Sequence, residues 1–190
     1  MTSAPHEKDI ELFVELLPSD LGVLTPLLWE LAEGDSVTIR TKPKGIFTFD
    51  SKYRNHFLVA TVTGVVPYVS FIRDYLHYDR EGHRFYVLVG ASYQDEHAYI
   101  DELDQIAGMH SRLVTHVPTV SRPDEARNLG WPREKGRVNL IIERYAEQFG
   151  LKPDDTLVYA CGNPDMIEDV KARMAPKGFT VKEERFWKED

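Results

Sequence analysis

The sequence predicts an α/β protein: a doubly wound parallel five-stranded sheet with helices on both faces, preceded by a shorter region of short extended pieces. Three observations carry this expectation. From His56 onward, short apolar runs alternate with helical periodicities. Runs such as "HFLVAT" are apolar throughout, as strands covered on both faces must be. The connections between them are short, which places helices on both sides of a parallel sheet.

Before His56 the texture is different. "IELFVELL" (Ile10–Leu17) and "SVTIRTK" (Ser36–Lys42) read as strands, the second following the turn residues "EGD". Between them, "LTPLLWEL" reads as a short helix, with Thr25 as N-cap and Pro26 at the first helical position. The alternating part opens with strand "HFLVAT" and helix "PYVSFIRDYLHYD", whose Val69, Ile72 and Leu76 share one face. Strand "RFYVLVGA", helix "EHAYIDELDQIA" and strand "RLVTHVP" follow. A polar insert, "SRPDEARNLGWPREKGR", leads to helix "VNLIIERYAEQF". Strand "TLVYACG", helix "PDMIEDVKARMA" and strand "FTVKEERF" complete the series.

Composition removes several classes of function. The 190 residues carry a formal net charge of −8, which disfavours nucleic acid as a partner, because phosphate backbones select basic surfaces. The single cysteine, Cys161, excludes an internal disulfide framework and suits a reducing cytoplasm. No apolar run approaches the ~20 residues of a membrane helix, and the first residues lack the basic and apolar parts of a signal peptide. The seven histidines are scattered, with no spacing that pairs two on one helical face as metal ligands.

Chemistry concentrates where strands end. In "ATVTGVVP", Gly64 allows close approach of a ligand to the backbone, and Pro67 opens a helix whose N–H groups and dipole favour an anion. An ordinary strand-to-helix turn fits this stretch equally well. In "YACGNPDM", Cys161 and Gly162 sit at a strand tip, and Asn163 caps the helix that Pro164 opens. Cys161 is either a small buried residue or a thiol beside a planar substrate, since no histidine lies near to activate it. In "TVSRP", Arg122 stands at a strand end, where a guanidinium fork matches phosphate oxygens; Arg137 follows the basic "PREKGR". Both also read as plain surface arginines. In the "VLVGASYQDE" loop, Ser92 and Tyr93 are candidate nucleotide contacts, Tyr93 as an adenine platform or as a cover for the sheet edge.

In this order and spacing, "ATVTGVVPYVSFI", "CGNPDM", "VSRP" with "GR", and the ending "EERFW" resemble the ferredoxin–NADP reductase family of flavoproteins over nearly the whole chain. "CGNPDM" is similar to its C-G-x-P-x-M signature. The resemblance implies a partial antiparallel flavin-binding β-barrel over residues 1–52 and an NAD(P)-binding domain over 53–190. It implies NADP(H) and FAD as cofactors, and a ferredoxin or flavodoxin-type electron carrier as partner.

It also implies residue roles. Thr63, Gly64 and Cys161 would line the nicotinamide pocket, with Cys161 at the reacting ring, and Pro67 would belong to the turn that meets the nicotinamide and pyrophosphate. Ser121, Arg122 and Arg137 would hold the 2′-phosphate, with Ser92 nearby. Gly162, Asn163, Pro164, Asp165 and Met166 would follow the rest of the nucleotide. Phe13 and Val14 would lie along the flavin, Val23, Leu24 and Thr25 near its phosphates, and Lys44 and Gly45 in a loop near the site. Phe186 and Trp187 resemble the family's aromatic tail, extended here by Lys188, Glu189 and Asp190.

One departure stands out. The family carries R-x-Y-S ahead of the stretch that "MTSAPHE" resembles, and this chain begins at that stretch. The expectation is a reading frame that starts at an internal methionine. The reaction implied is hydride transfer between NADP(H) and FAD, with single electrons passed to the carrier. Two alternatives stay open: a reductase component feeding an oxygenase or cytochrome system, and a non-catalytic nucleotide-binding remnant without flavin.

Overall fold

A computed structural model of the chain describes residues 1–16, 23–39 and 45–185. Its centre is a sheet of β1 (Asn55–Thr61), β2 (Arg84–Ala91), β3 (Val114–Val120), β4 (Glu134–Lys135), β5 (Thr156–Cys161) and β6 (Thr180–Glu184). All neighbouring pairs are parallel, in the order β4-β3-β2-β1-β5-β6. The chain winds outward from β1 in one direction through β2, β3 and β4, then returns to the other side of β1 for β5 and β6. The order therefore reverses between β1 and β5, which opens a crevice at their carboxyl ends.

Each expected strand from His56 onward forms, and a sixth, β4, lies inside the polar insert. Two residues carry no periodicity, so nothing in the insert marked it. The third strand runs through Pro118 to Val120 rather than ending at the proline. β4 pairs only Thr119 and Val120, leaving β3 an edge at Pro118, where a missing N–H is tolerated.

Alternate residues of β1 face opposite cores. Phe57 and Val59 pack with α4 (Val138–Gln148) and α5 (Pro164–Met174) on one side. Leu58 and Ala60 pack with α2 (Val66–His77) and α3 (Ile100–Met109) on the other. On α2, Val69 and Ile72 are buried as their spacing predicts, but Tyr75 is buried more deeply than Leu76. The Tyr75 hydroxyl meets His83 Nδ1 at 3.0 Å, which satisfies its polar end inside an apolar cluster.

Ahead of Asn55 the structure departs from the expected strands. Over the described parts of Ile10–Leu17 and Ser36–Lys42, no hydrogen-bonded ladder forms; Leu17 and residues 40–42 lie outside the described residues. A strand needs a run of partners for its N–H and C=O groups, and among the described residues those at Glu11 are only the Thr2 N–H, which donates to its carbonyl at 2.8 Å, and Ser3 Oγ, which accepts its N–H at 3.2 Å. The short helix does form, as α1 (Leu24–Trp29), but Val23 occupies its N-cap position. Thr25 is thus not the N-cap, and Pro26 is the third helical residue rather than the first. Proline is accepted there because first-turn N–H groups have no intrahelical partner. The segment is anchored to the sheet by Phe49, 4.6 Å from the His56 ring, and by the Asp50 N–H, which donates to Tyr159 Oη at 3.0 Å. No helix among the described residues is long and apolar enough to cross a membrane.

Candidate site at the carboxyl edge of the sheet

The crevice at the reversal is built by two glycines. A Cβ on Gly64 would collide with the Cys161 carbonyl, and one on Gly162 with the Thr61 side chain. Gly162 also holds φ at +125°, a conformation L side chains rarely adopt. These close approaches bring the ends of β1 and β5 together. Thr61 Oγ1 then accepts the Asn163 N–H at 2.8 Å, while Asn163 Oδ1 accepts the Met166 N–H at 3.2 Å and caps α5 as predicted.

Three helical starts face this point. After β1, a 3-10 turn (Val62–Val65) leads into α2. After β5, Asn163 and Pro164 open α5. The third is α4, whose N-cap residue is Arg137. Its Val138 packs so tightly on Gly90 that a Cβ there would come within 2.9 Å of Val138 Cβ. Unpaired N–H groups and aligned dipoles at such starts favour negative charge.

Between them lies a cavity of ≈ 500 Å³. Thr61, Val62 and Thr63 line it from β1, and Gly162, Asn163, Asp165 and Met166 from β5 and α5. Arg137, Val138 and Asn139 close the α4 side, Gly90, Ala91 and Ser92 the end of β2, and Ser121 and Arg122 the end of β3. Glu15 reaches its mouth from the front segment. Of the residues expected here, Thr63, Ser92, Ser121, Arg122, Arg137, Gly162, Asn163, Asp165 and Met166 are thus together in one space. Thr61, Val62, Gly90, Ala91, Val138, Asn139 and Glu15 escaped sequence reading. Each is ordinary in type, and only the register of neighbouring strand ends makes it part of the site.

Other candidates fall elsewhere. Gly64 lies buried beneath the cavity, and Pro67 and Pro164 shape helix starts without lining it. Cys161 is fully buried, and burial pushes its thiol up to about 12, with the Glu184 charge second. It is a neutral thiol packed with Tyr159 and Leu157, and its backbone carbonyl, not its sulfur, shapes the crevice. Phe13 rests edge-on against Tyr99 at 5.9 Å, while Val23 and Leu24 are exposed; with Val14 and Thr25, none lines the cavity. Lys44, Phe186 and Trp187 lie outside the described residues.

The charged groups are unequal. Arg122 Nη1 donates to Tyr93 Oη at 3.0 Å and lies 3.5 Å from Glu125. Among the described residues, Arg137 has no hydrogen bond or ion pair through its guanidinium. Tyr93 is not an open adenine platform on both faces, because the Arg127 guanidinium sits 3.8 Å over its ring. The front segment is tied on by Arg73, which donates to both oxygens of Glu102 at 2.7 and 2.8 Å and to Glu11 at 2.6 Å. Among the described residues no cluster of histidine, cysteine or carboxylate side chains is arranged to hold a metal.

A doubly wound parallel sheet with an anion-receptive cavity at its reversal point is a dinucleotide-binding type of α/β unit. The chain belongs to the oxidoreductase NAD-binding domain family, whose model matches residues 58–172. It is 29% identical over 174 residues to a flavodoxin/ferredoxin–NADP reductase of Buchnera aphidicola, covering 88% of this chain and 64% of that protein. It is 27% identical to a ferredoxin–NADP reductase of Pseudomonas aeruginosa, covering 95% of this chain and 72% of that one. The fold also matches a ferredoxin NADP+ reductase of Neisseria gonorrhoeae solved with FAD and NADP, at a TM-score of 0.79 and 18% identity, over 98% of this chain and 78% of that one. The chain therefore spans a little under two thirds of the Buchnera relative's length.

Proposed function

We propose that the chain binds NADP(H) in the carboxyl-edge cavity and forms the nucleotide-binding part of a flavin-dependent NADPH oxidoreductase. Hydride would pass between NADP(H) and FAD, and single electrons to or from a ferredoxin or flavodoxin-type carrier in the cytoplasm. One observation carries the reading: the 3-10 turn after β1, the starts of α4 and α5, and two arginines converge on a single cavity at the sheet's reversal point. The names of the relatives agree with it.

The fit to a dinucleotide rests on the backbone. Gly64 and Gly162 let the ends of β1 and β5 close on each other, and this brings Thr61 and Gly162 into one wall on which a flat ring can lie. N–H groups of the 3-10 turn after β1 and at the start of α5 suit a pyrophosphate. Arg137 and Arg122 suit a terminal phosphate, with Ser121 and Ser92 as hydroxyl donors. Bound NADP(H) and FAD would supply the redox chemistry themselves. The chain's own part is orientation, together with the exclusion of water from the ring contact. Residues 1–52 belong in this reading to the flavin side, where the exposed apolar Val23 and Leu24 are available for cofactor contact.

The test is a titration of NADPH and NADH by nicotinamide fluorescence. A charge-assisted phosphate contact contributes ~1.5–3 kcal/mol, so Arg137→Ala and Arg122→Ala should each weaken NADPH about tenfold or more. NADH binding should change less than about twofold. Equal losses for both nucleotides would remove the phosphate role.

A further inference from the structure

We infer that Glu125 sets the nucleotide preference of this site by holding Arg122 and Tyr93 in the place of a 2′-phosphate. The inference rests on the proposed reading of the cavity as an NADP(H) site. Tyr93 Oη donates to Glu125 Oε2 at 2.5 Å, and Arg122 Nη1 stands 3.5 Å from Glu125 Oε1. Arg122 Nη1 also donates to Tyr93 Oη at 3.0 Å, closing a three-membered set at the end of β3. A carboxylate is thus already seated on the guanidinium that the cavity offers to an incoming anion.

The arrangement is built by buried backbone contacts and does not depend on loose side chains alone. Asn128, 1% exposed, donates through Nδ2 to the Ser92 and Arg122 carbonyls at 2.9 and 2.8 Å. Its N–H donates to the Glu125 carbonyl at 2.8 Å, and its Oδ1 accepts the Gln94 N–H at 2.8 Å. These bonds lock the loop after β2 to the start of the insert and fix Glu125 opposite Tyr93. The second guanidinium on the Tyr93 ring, Arg127, is committed to both oxygens of Asp95 at 2.8 and 2.7 Å. Arg122 and Glu125 are each about half exposed, at 53% and 51%, so a ligand reaches both.

A phosphate dianion entering here must either displace the Glu125 carboxylate or lie beside it. Both oppose binding, because like charges repel and the Arg122 contact is shared. A ribose with a free 2′-hydroxyl meets no such repulsion, and its hydroxyl can donate to the carboxylate. Glu125 therefore narrows the advantage of NADP(H) over NAD(H) that the arginines create.

Glu125→Gln keeps size and an acceptor oxygen for Tyr93 but removes the charge. Calorimetric titration of the full chain with 2′-phospho-AMP and with 5′-AMP reads the effect without any flavin. The variant should bind 2′-phospho-AMP about three- to fivefold more tightly, the upper part of the range for relief of one exposed like-charge contact. Binding of 5′-AMP should stay within about twofold, and the melting temperature should not move. Unchanged or weaker 2′-phospho-AMP binding in Glu125→Gln would overturn the inference, the weaker result marking Glu125 as a residue that positions Arg122. Arg122→Ala and Arg137→Ala, run alongside, separate the two failures. If neither weakens 2′-phospho-AMP, the phosphate site itself is misplaced, and the inference falls with it.

Discussion

The sheet from Asn55 to Glu184 and the segment ahead of it obey opposite rules of burial. In the sheet, Phe57, Leu58, Val59 and Ala60 are all fully buried in succession, because helices cover both faces. In the front segment, Val23 is 79% exposed, Trp29 63% and Ile46 81%. Apolar residues of similar type thus mean different things in the two regions. Between β1 and β5 they pack so closely that even one methyl group is excluded at Gly64. In the front segment these three lie open, and the segment meets the sheet domain through Phe47 and Phe49, through polar contacts of Ser3, Thr48 and Asp50, and through the Arg73 network. Among the described residues, the cavity belongs almost wholly to the close-packed region, with Glu15 contributed by the front segment.

The largest expected effect that breaks this comparison comes from matched glycine substitutions. Gly64→Ala forces a methyl group onto the Cys161 backbone, and neither partner is a flexible side chain that can move aside. It should destabilise the chain by about 3 kcal/mol or more and abolish nucleotide binding. Gly34→Ala meets nothing within 4 Å, and only its φ of +98° is strained. Its cost should be about 1 kcal/mol. Urea denaturation of both variants checks this, and equal losses would erase the packing contrast.

A smaller effect comes from pH and sharpens the comparison, since both groups concerned lie in the sheet region. His56 and His97 are pushed down to about 4, in each case chiefly by burial. Neighbouring positive charge, from His83 and His116 respectively, adds to the depression. Each takes up a proton more readily when unfolded, near the usual value of about 6.5. The unfolded state therefore binds more protons between about pH 4 and 6.5, and stability falls as pH drops through that window. Each histidine should remove about 2 kcal/mol between about pH 7 and pH 5. His56→Phe should flatten its share of that slope in denaturation curves; an unchanged slope would show that His56 is not the group responsible.

Most of the sheet region is legible in the sequence because burial on both faces leaves unbroken apolar runs, and Asn163-Pro164 announces its helix by side-chain chemistry alone. The rest depends on distance in space. Thr61 Oγ1 joins the site through Asn163, 102 residues later, a contact no local pattern encodes. β4 exists only because β3 presents Thr119 and Val120 to it. Arg122 and Arg137 look alike in the sequence, and only the Tyr93–Glu125 pair distinguishes them. In the front segment "IELFVELL" and "SVTIRTK" have the residue types of strands, but without a partner strand they make no ladder.

The most direct test of the account is amide hydrogen exchange on the full chain, with and without NADP+. The account predicts slower exchange at Thr61–Val65, Val138–Leu140 and Gly162–Ile167 when NADP+ is added. Residues 23–39 should exchange unchanged. Protection confined to residues 23–39, or absent throughout, would contradict the placement of the nucleotide at the carboxyl edge of the sheet.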